Sequence, residues 1–317
     1  GTVVDLGLIA GSGQVTMTYS FDLLAISNGA ELYYLDKSDV LTQVTDPNIG
    51  TVVDIEFVDG YFMTTDGEFL VVTELSDPFT ANPFKYGSSE ADPDPVTAIV
   101  KFRREIYALN RYTIEVFSNV GGEFFPFAIA PGAQIQRGCV GTHANAVVEQ
   151  GIAFIGGGRN EEIAIWLGVN GQTLKLSTRD IDKILAKYTE DELAEVLVES
   201  RNSLNHQLLY VHLPDMTLVY DFTMSQLAGE PVWFTLTSSL RGDGEYLARN
   251  MVYCYNKWLV GNTQNNHVGE LTRDVSTHYG EMVGWEFSTK MLYNESRGAI
   301  VHELELVSLT GNIALGN

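Results

Sequence analysis

Hydrophobic positions along this chain recur with a period of two, in short runs closed by glycine, asparagine and aspartate, which is the pattern of β-strands and tight turns. The runs fall into units that resemble one another. "VTMTYSFDLLAISNGAELYYLD" begins at Val15, "VVDIEFVDGYFMTTDGEFLVVTEL" at Val52 and "VTAIVKFRREIYALNRYTIEVFSN" at Val96. "ANAVVEQGIAFIGGGRNEEIAIWLG" begins at Ala144, "AEVLVESRNSLNHQLLYVHLPDMTLVYDF" at Ala194 and "ARNMVYCYNKWLVGNTQNNHVGELT" at Ala248. Each reads as strand, turn, strand, turn, strand. Asn28-Gly29, Asp59-Gly60, Asp66-Gly67 and Asn170-Gly171 supply turn pairs that accept positive φ. Successive starts lie 37, 44, 48, 50 and 54 residues apart, close to the roughly 40–50 residues of a four-stranded propeller blade. The expected fold is therefore all-β and β-propeller-like, with about five to six blades over residues 1–317 as one domain. A β-sandwich arrangement is the alternative. Asp92-Pro93-Asp94-Pro95 reads as a connector, because two prolines exclude a strand interior.

One stretch departs from this pattern. "STRDIDKILAKYTEDELAE", residues 177–195, has the apolar spacing of a helix: Ile181, Ile184, Leu185 and Tyr188 stand at i, i+3, i+4 and i+7. Ser177 or Thr178 is placed to cap it. Thr189 and Glu192 form a capping box that opens a second short helical turn, so the helix is expected to stop and restart at residues 187–189. A piece this short is marginal alone, so Ile181, Ile184 and Leu185 are expected to pack on the β-body. That leaves Asp182, Lys183 and Lys187 outward as candidates for contact with a neighbouring subunit. The crossing "GGEFFPFAIAPGAQIQRG" (residues 121–138) carries three phenylalanines. They read as core, with Phe124 and Phe125 also candidates for an interface.

Charge narrows the partners. The chain has 41 acidic and 19 basic residues, a net charge of −22, which repels nucleic-acid phosphates and anionic membranes. The excess acid serves solubility or pairing with a basic protein. Two cysteines, Cys139 and Cys254, make no disulfide framework. No apolar run approaches the roughly 18 residues of a membrane span, and no secretory signal opens the chain. Gly1 leads directly into "TVVDLGLIA", and the chain ends in the strand-like "VHELELVSLTGNIALGN". Both ends suggest a fragment of a longer protein.

Catalytic signatures are absent. There is no G-x-S-x-G, Walker loop or H-E-x-x-H, and no Asp-box of the S-x-D-x-G-x-x-W kind. Gly11-Ser12-Gly13 and Gly156-Gly157-Gly158 read as turns, not phosphate loops. The six histidines, at 143, 206, 212, 267, 278 and 302, show no metal-ligand spacing, and His212 in "LLYVHLP" reads as a satisfied strand histidine. Asp54 and Glu56, and likewise Glu303 and Glu305, share a strand face. Such pairs keep open a glycosidase or a carbohydrate-binding module acting on host surface glycans, since sugar hydrolysis needs two carboxyls about 5–10 Å apart. Asn294-Glu295-Ser296 is a formal glycosylation sequon. The expectation is no enzyme, no cofactor and no metal.

The segment from the helix onward, "DIDKILAKYTEDELAEVLVESRNSLNHQLLYVHLPDMTLVYD", resembles the packaged-DNA stabilization proteins of short-tailed phages, which are tail accessory or head-closure factors. The matching positions are Asp182 to Leu185, Tyr188 to Ala194, Leu208 to Pro214 and Leu218 to Asp221. Weaker collinear likeness lies at "AGSGQVTM" (10–17), "RYTIEVFS" (111–118) and "VGELTRDVSTHYG" (268–280). The resemblance implies a structural virion protein of the tail, made in the host cytoplasm. It implies a hexameric ring below the portal and adaptor rings that closes the channel on packaged DNA and connects to the tail needle and tailspikes. Retention by a plug requires no direct nucleic-acid contact. The isolated fragment is expected to be monomeric without its ring template.

Overall fold

Among the described residues, six antiparallel sheets of three to five strands follow one another along the chain, and a two-stranded ribbon, Thr277–His278 with Glu281–Met282, comes after them, in a computed structural model that describes residues 4–89, 92–242, 244–272, 274–288 and 303. Blade one contains Thr16–Tyr19, Leu23–Ser27, Leu32–Asp36 and Leu41–Gln43, and blade two Asp54–Val58, Tyr61–Thr65, Phe69–Thr73 and Ala81–Ser88. Blade three contains Val96–Phe102, Glu105–Asn110, Ile114–Asn119 and Phe127–Ile129. Blade four contains Gly151–Gly157, Ala164–Val169 and Gln172–Lys175. Its inner edge is made in two pieces, Gly138–Cys139 and Asn145–Val148, which both pair with Gly151–Gly157. Blade five contains Leu197–Ser203, His206–His212, Thr217–Asp221 and Trp233–Leu236, and the sixth sheet Ala248–Cys254, Lys257–Asn262 and Asn265–Glu270. Residues Glu305, Asn294 and His302, and the strand-like ending, lie outside the described residues, except for Glu303.

The chain divides into two compact units, Gly1–Leu213 with Tyr220–Trp233, and Pro214–Val219 with Phe234–Asn317. In the first, the opening strand of each blade packs against the opening strand of the next: Thr16–Tyr19 on Asp54–Val58, that on Val96–Phe102, that on Asn145–Val148, and that on Leu197–Ser203. Edge-to-edge succession of inner strands is propeller packing. A sandwich would instead lay two sheets face to face, so the sandwich alternative is set aside.

Blades stacked on both faces bury both sides of their middle strands. In Glu105–Asn110 the consecutive residues Ile106, Tyr107, Ala108 and Leu109 are all buried, which explains apolar runs without strict alternation. One cluster joins blades one and two through Tyr34, Ile55 and Phe62, with the Tyr34 and Phe62 ring centroids 5.0 Å apart. A second joins blades two and three through Met63, Leu70, Ile106 and Phe117. The second unit has its own smaller core of Tyr246, Ala248 and Val260, flanked by Leu236, Met251, Leu271 and Tyr279.

The turn chemistry follows the sequence. Asp59 (φ 48°) with Gly60 (φ 93°), and Asn170 (φ 49°) with Gly171 (φ 75°), take the paired positive φ of a hairpin turn. Gly156 and Gly157 differ from expectation. They belong to a strand, where a Cβ on Gly156 would sit on the Gly138 carbonyl oxygen. They are a close backbone approach, not a turn.

The helical stretch forms α1 (Arg179–Leu185) and α2 (Glu190–Ala194). Thr178 caps α1 by accepting from the Ile181 amide, and Thr189 with Glu192 completes the capping box of α2. Ile181, Leu185 and Leu193 are buried and Ile184 is half-buried. A third helix, α3 (Phe222–Ala228), is masked in the periodicity, because strand patterning runs through its first residue. Its signals were local: Asp221 at the N-cap and Gly229 in the left-handed conformation beyond its end (φ 69°).

Gly141 lies directly under the Ala194 carbonyl at the end of α2, and a Cβ there would collide with it. Gly141→Ala should destabilise the first unit by about 1–3 kcal/mol, the cost of overpacking a rigid backbone contact. Denaturant unfolding followed by tryptophan fluorescence would measure it, and an unchanged midpoint would show that the insertion shifts freely.

Candidate interaction surface and inner-strand carboxylates

Where successive blades converge, polar side chains on and beside the inner strands reach the backbone of a neighbouring blade. Ser27 Oγ donates to Val52 O (2.6 Å), Thr97 Oγ1 to Cys139 O (3.2 Å), Thr142 Oγ1 to Thr97 O (2.8 Å) and Ser200 Oγ to Val147 O (2.7 Å). The two acids of Asp54–Val58 belong to this system. Asp54 is 4% exposed; its Oδ2 accepts the Ile99 amide of blade three at 2.8 Å and its Oδ1 the Ile55 amide at 3.0 Å. The Thr16 hydroxyl of blade one is a further partner. Burial pushes the Asp54 carboxyl up to about 7, against these hydrogen bonds, which pull it down.

Glu56, two residues on, accepts from Thr18 Oγ1 and from the Phe57 amide, both at 3.0 Å and both through Oε1. Its carboxyl is also held above the usual range by burial, opposed by those bonds and by the Lys101 charge. Lys101 Nζ donates to Phe57 O at 2.8 Å. The pair suspected of hydrolytic chemistry is therefore split. Asp54 is sealed with both oxygens engaged, and Glu56 alone reaches a surface recess. Two carboxyls flanking a sugar, which hydrolysis requires, are not available here.

His212 is a satisfied core histidine. Its Nε2 lies 3.0 Å from Glu199 Oε2, and its ring stacks on Tyr210 at 13° between planes. Among the described residues no group of three or more His, Cys, Asp or Glu side chains is arranged to hold a metal ion.

The insertion presents its face differently from the helical pattern alone. Lys183 is exposed and pairs with Asp180 at 3.0 Å, and Lys187 is exposed. Asp182 is not outward. It is half-buried, accepts from Ser177 Oγ at 2.6 Å and pairs with Lys175 at 2.7 Å. The residues before the helix claim it. From α2, Glu190 pairs with Arg111 at the hairpin of blade three. The Arg111 guanidinium lies 4.5 Å, and that of Arg159 4.9 Å, from the centre of the Tyr112 ring. Phe124 is 60% exposed. Phe125 instead packs on Phe127 (5.9 Å) and Phe117 (6.5 Å) and fills the space left by Gly87.

Residues 1–276 match the family model described as Bacteriophage P22 Gp10, beta-propeller. This chain belongs to that family. The family chain is 29% identical, over 324 aligned positions, to the "Tail hub protein gp10" of Salmonella phage P22, covering 97% of this chain and 67% of that protein. Among solved structures it is similar to the WD40 domain of Neurospora crassa Pan2 (TM-score 0.46, 9% identity, 77% of this chain and 70% of that one). It is also similar to Kluyveromyces lactis Hsv2 (TM-score 0.38, 10% identity, 72% and 74%). The family segment recognised in the sequence, residues 182–221, runs from α1 through the third strand of blade five.

A carboxyl whose folded pKa is raised binds its proton more tightly in the folded state. Asp54 thus favours folding below about pH 4 and loses that contribution as pH rises towards about 7. Stability of the wild type should fall across that window relative to Asp54→Asn, whose difference curve should flatten above about pH 7. Urea midpoints from pH 4 to 8 would show it, and parallel pH curves would place the Asp54 titration elsewhere.

Proposed function

We propose that this chain is a structural, non-enzymatic component of a phage tail hub, resident in the virion tail, that closes the portal channel on packaged DNA. The observation that carries this reading is membership of the P22 Gp10 propeller family, with a tail hub protein aligned over nearly the whole chain. The family resemblance extends it to a hexameric ring meeting portal and adaptor rings above, and tail needle and tailspikes below. The chemistry is consistent with a scaffold: the inner-strand acids serve as ties between blades, and the net charge of −22 disfavours direct wrapping of DNA. The exposed Lys183 and Lys187, rare positive charges on an acidic chain, together with Phe124, are the proposed contacts to a neighbouring subunit. Asp182 acts indirectly, by fixing α1 to the strand before it.

Negative-stain microscopy of the full-length protein mixed with purified portal and adaptor rings is the test, with added rings of density below the adaptor expected. Failure of the full-length protein to join would end the proposal. Lys183→Glu with Lys187→Glu should weaken ring assembly roughly tenfold, with the defect growing at low salt, as for charged contacts at an interface. Unchanged assembly would make the insertion purely structural.

A further inference from the structure

A recess of about 340 Å³ opens on the first unit where the ends of the inner strands of blades one, two and three meet. Its volume is within the range of small-molecule sites. Its floor holds Glu56 and Lys101, Thr18 lies beside them, and Tyr19 and Phe21 stand at its mouth. Tyr19, at the end of Thr16–Tyr19, is 76% exposed, and Phe21, in the turn that follows, is 91% exposed, so two large rings lie open to solvent beside the same recess.

The floor has hydrogen-bonding capacity left over. The Lys101 ammonium gives one N–H to the Phe57 carbonyl and keeps the rest. The Glu56 carboxylate takes the Thr18 hydroxyl, the Phe57 amide and the Lys101 amide, which leaves acceptor capacity towards the recess. The two charges cancel, so the floor attracts neither a net anion nor a net cation. An ammonium and a carboxyl lining one recess can donate to and accept from different hydroxyls of one ligand. The exposed rings offer flat apolar faces that match the C–H face of a pyranose.

We propose that this recess binds a neutral sugar residue, with Glu56 and Lys101 bonding adjacent hydroxyls and Tyr19 or Phe21 covering the ring face. The overall charge of −22 argues against an acidic sugar. With Asp54 buried and both its oxygens held by backbone amides, Glu56 stands alone in the recess, and the site binds and does not hydrolyse. This inference is independent of the tail-ring reading, because it concerns a surface that the insertion does not share.

Saturation-transfer NMR on the whole chain with methyl glucoside, methyl galactoside, methyl mannoside, maltose and lactose is the test. At least one sugar should receive saturation on its ring protons, with little dependence on salt. Phe21→Ala and Glu56→Gln should each weaken binding tenfold or more, whereas Lys187→Glu should leave it intact. Phe21 is exposed, so its variant keeps the fold and the result stays interpretable. The proposal is overturned if no sugar of the panel receives saturation, or if both variants bind as the wild type does. It is equally overturned if Phe21→Ala changes sedimentation of the chain in place of any sugar effect, which would make the rings a protein contact.

Discussion

The convergence of the inner strands is the constraint on which the first unit depends. Where strands from successive blades approach edge to edge, their side chains lie within reach of one another's backbone, and every buried N–H and C=O there needs a partner. Serine, threonine and aspartate supply it: Ser27 to Val52, Thr97 to Cys139, Thr142 to Thr97, Ser200 to Val147 and Asp54 to Ile99. A satisfied hydrogen bond contributes only about 1 kcal/mol net, but a buried group left without its partner costs about 1–3 kcal/mol. The ties therefore specify which blade follows which more than they stabilise any one blade. Asp54 is the extreme case, a buried acid that touches three blades and carries a raised pKa as the consequence of its position.

The helical insertion obeys the same logic on the outside. Its apolar residues Ile181, Leu185 and Leu193 are buried, the end of α2 rests on a glycine, and Glu190 reaches back to Arg111. With only 19 basic residues in the chain, many of those on this side are held by specific acids: Arg111 by Glu190, Arg159 by Asp92, Arg137 by Glu161 and Lys175 by Asp182. Arg137 also lies 4.0 Å from the centre of the Trp166 ring. Such pairs position side chains and contribute little free energy where solvent screens them. They leave a surface whose unmatched charge is mostly negative, suited to partners with basic faces.

Much of the fold was legible because its determinants are local. The unit openings read at Val52, Val96, Ala144 and Ala248 fall at or within two residues of strands that begin at Asp54, Val96, Asn145 and Ala248. The fourth strands were not legible. Leu41–Gln43 and Phe127–Ile129 are three residues long and partly exposed, too short to carry a period. Helix α3 was hidden because Tyr220, Asp221 and Phe222 continue a strand pattern while Asp221 already caps the helix. The candidate surface was read in part: Lys183 and Lys187 are exposed as the helical wheel demands, but Asp182 and Phe125 are not free.

The sequence by itself determined what depends on neighbours along the chain: the alternation that makes strands, the Asn-Gly and Asp-Gly turns, and the caps at Thr178 and Thr189. It also carried the motif that marks the family. Only the tertiary structure decided which of two similar acids is sealed and which faces a recess, since Asp54 and Glu56 stand two apart on one strand and differ only in what other blades bring to them. It decided equally that Asp182 turns to Lys175, and that a glycine is needed under Ala194. In each case the partner sits on another element, and burial and hydrogen bonding are set by that partner, which no periodicity within the strand or helix contains.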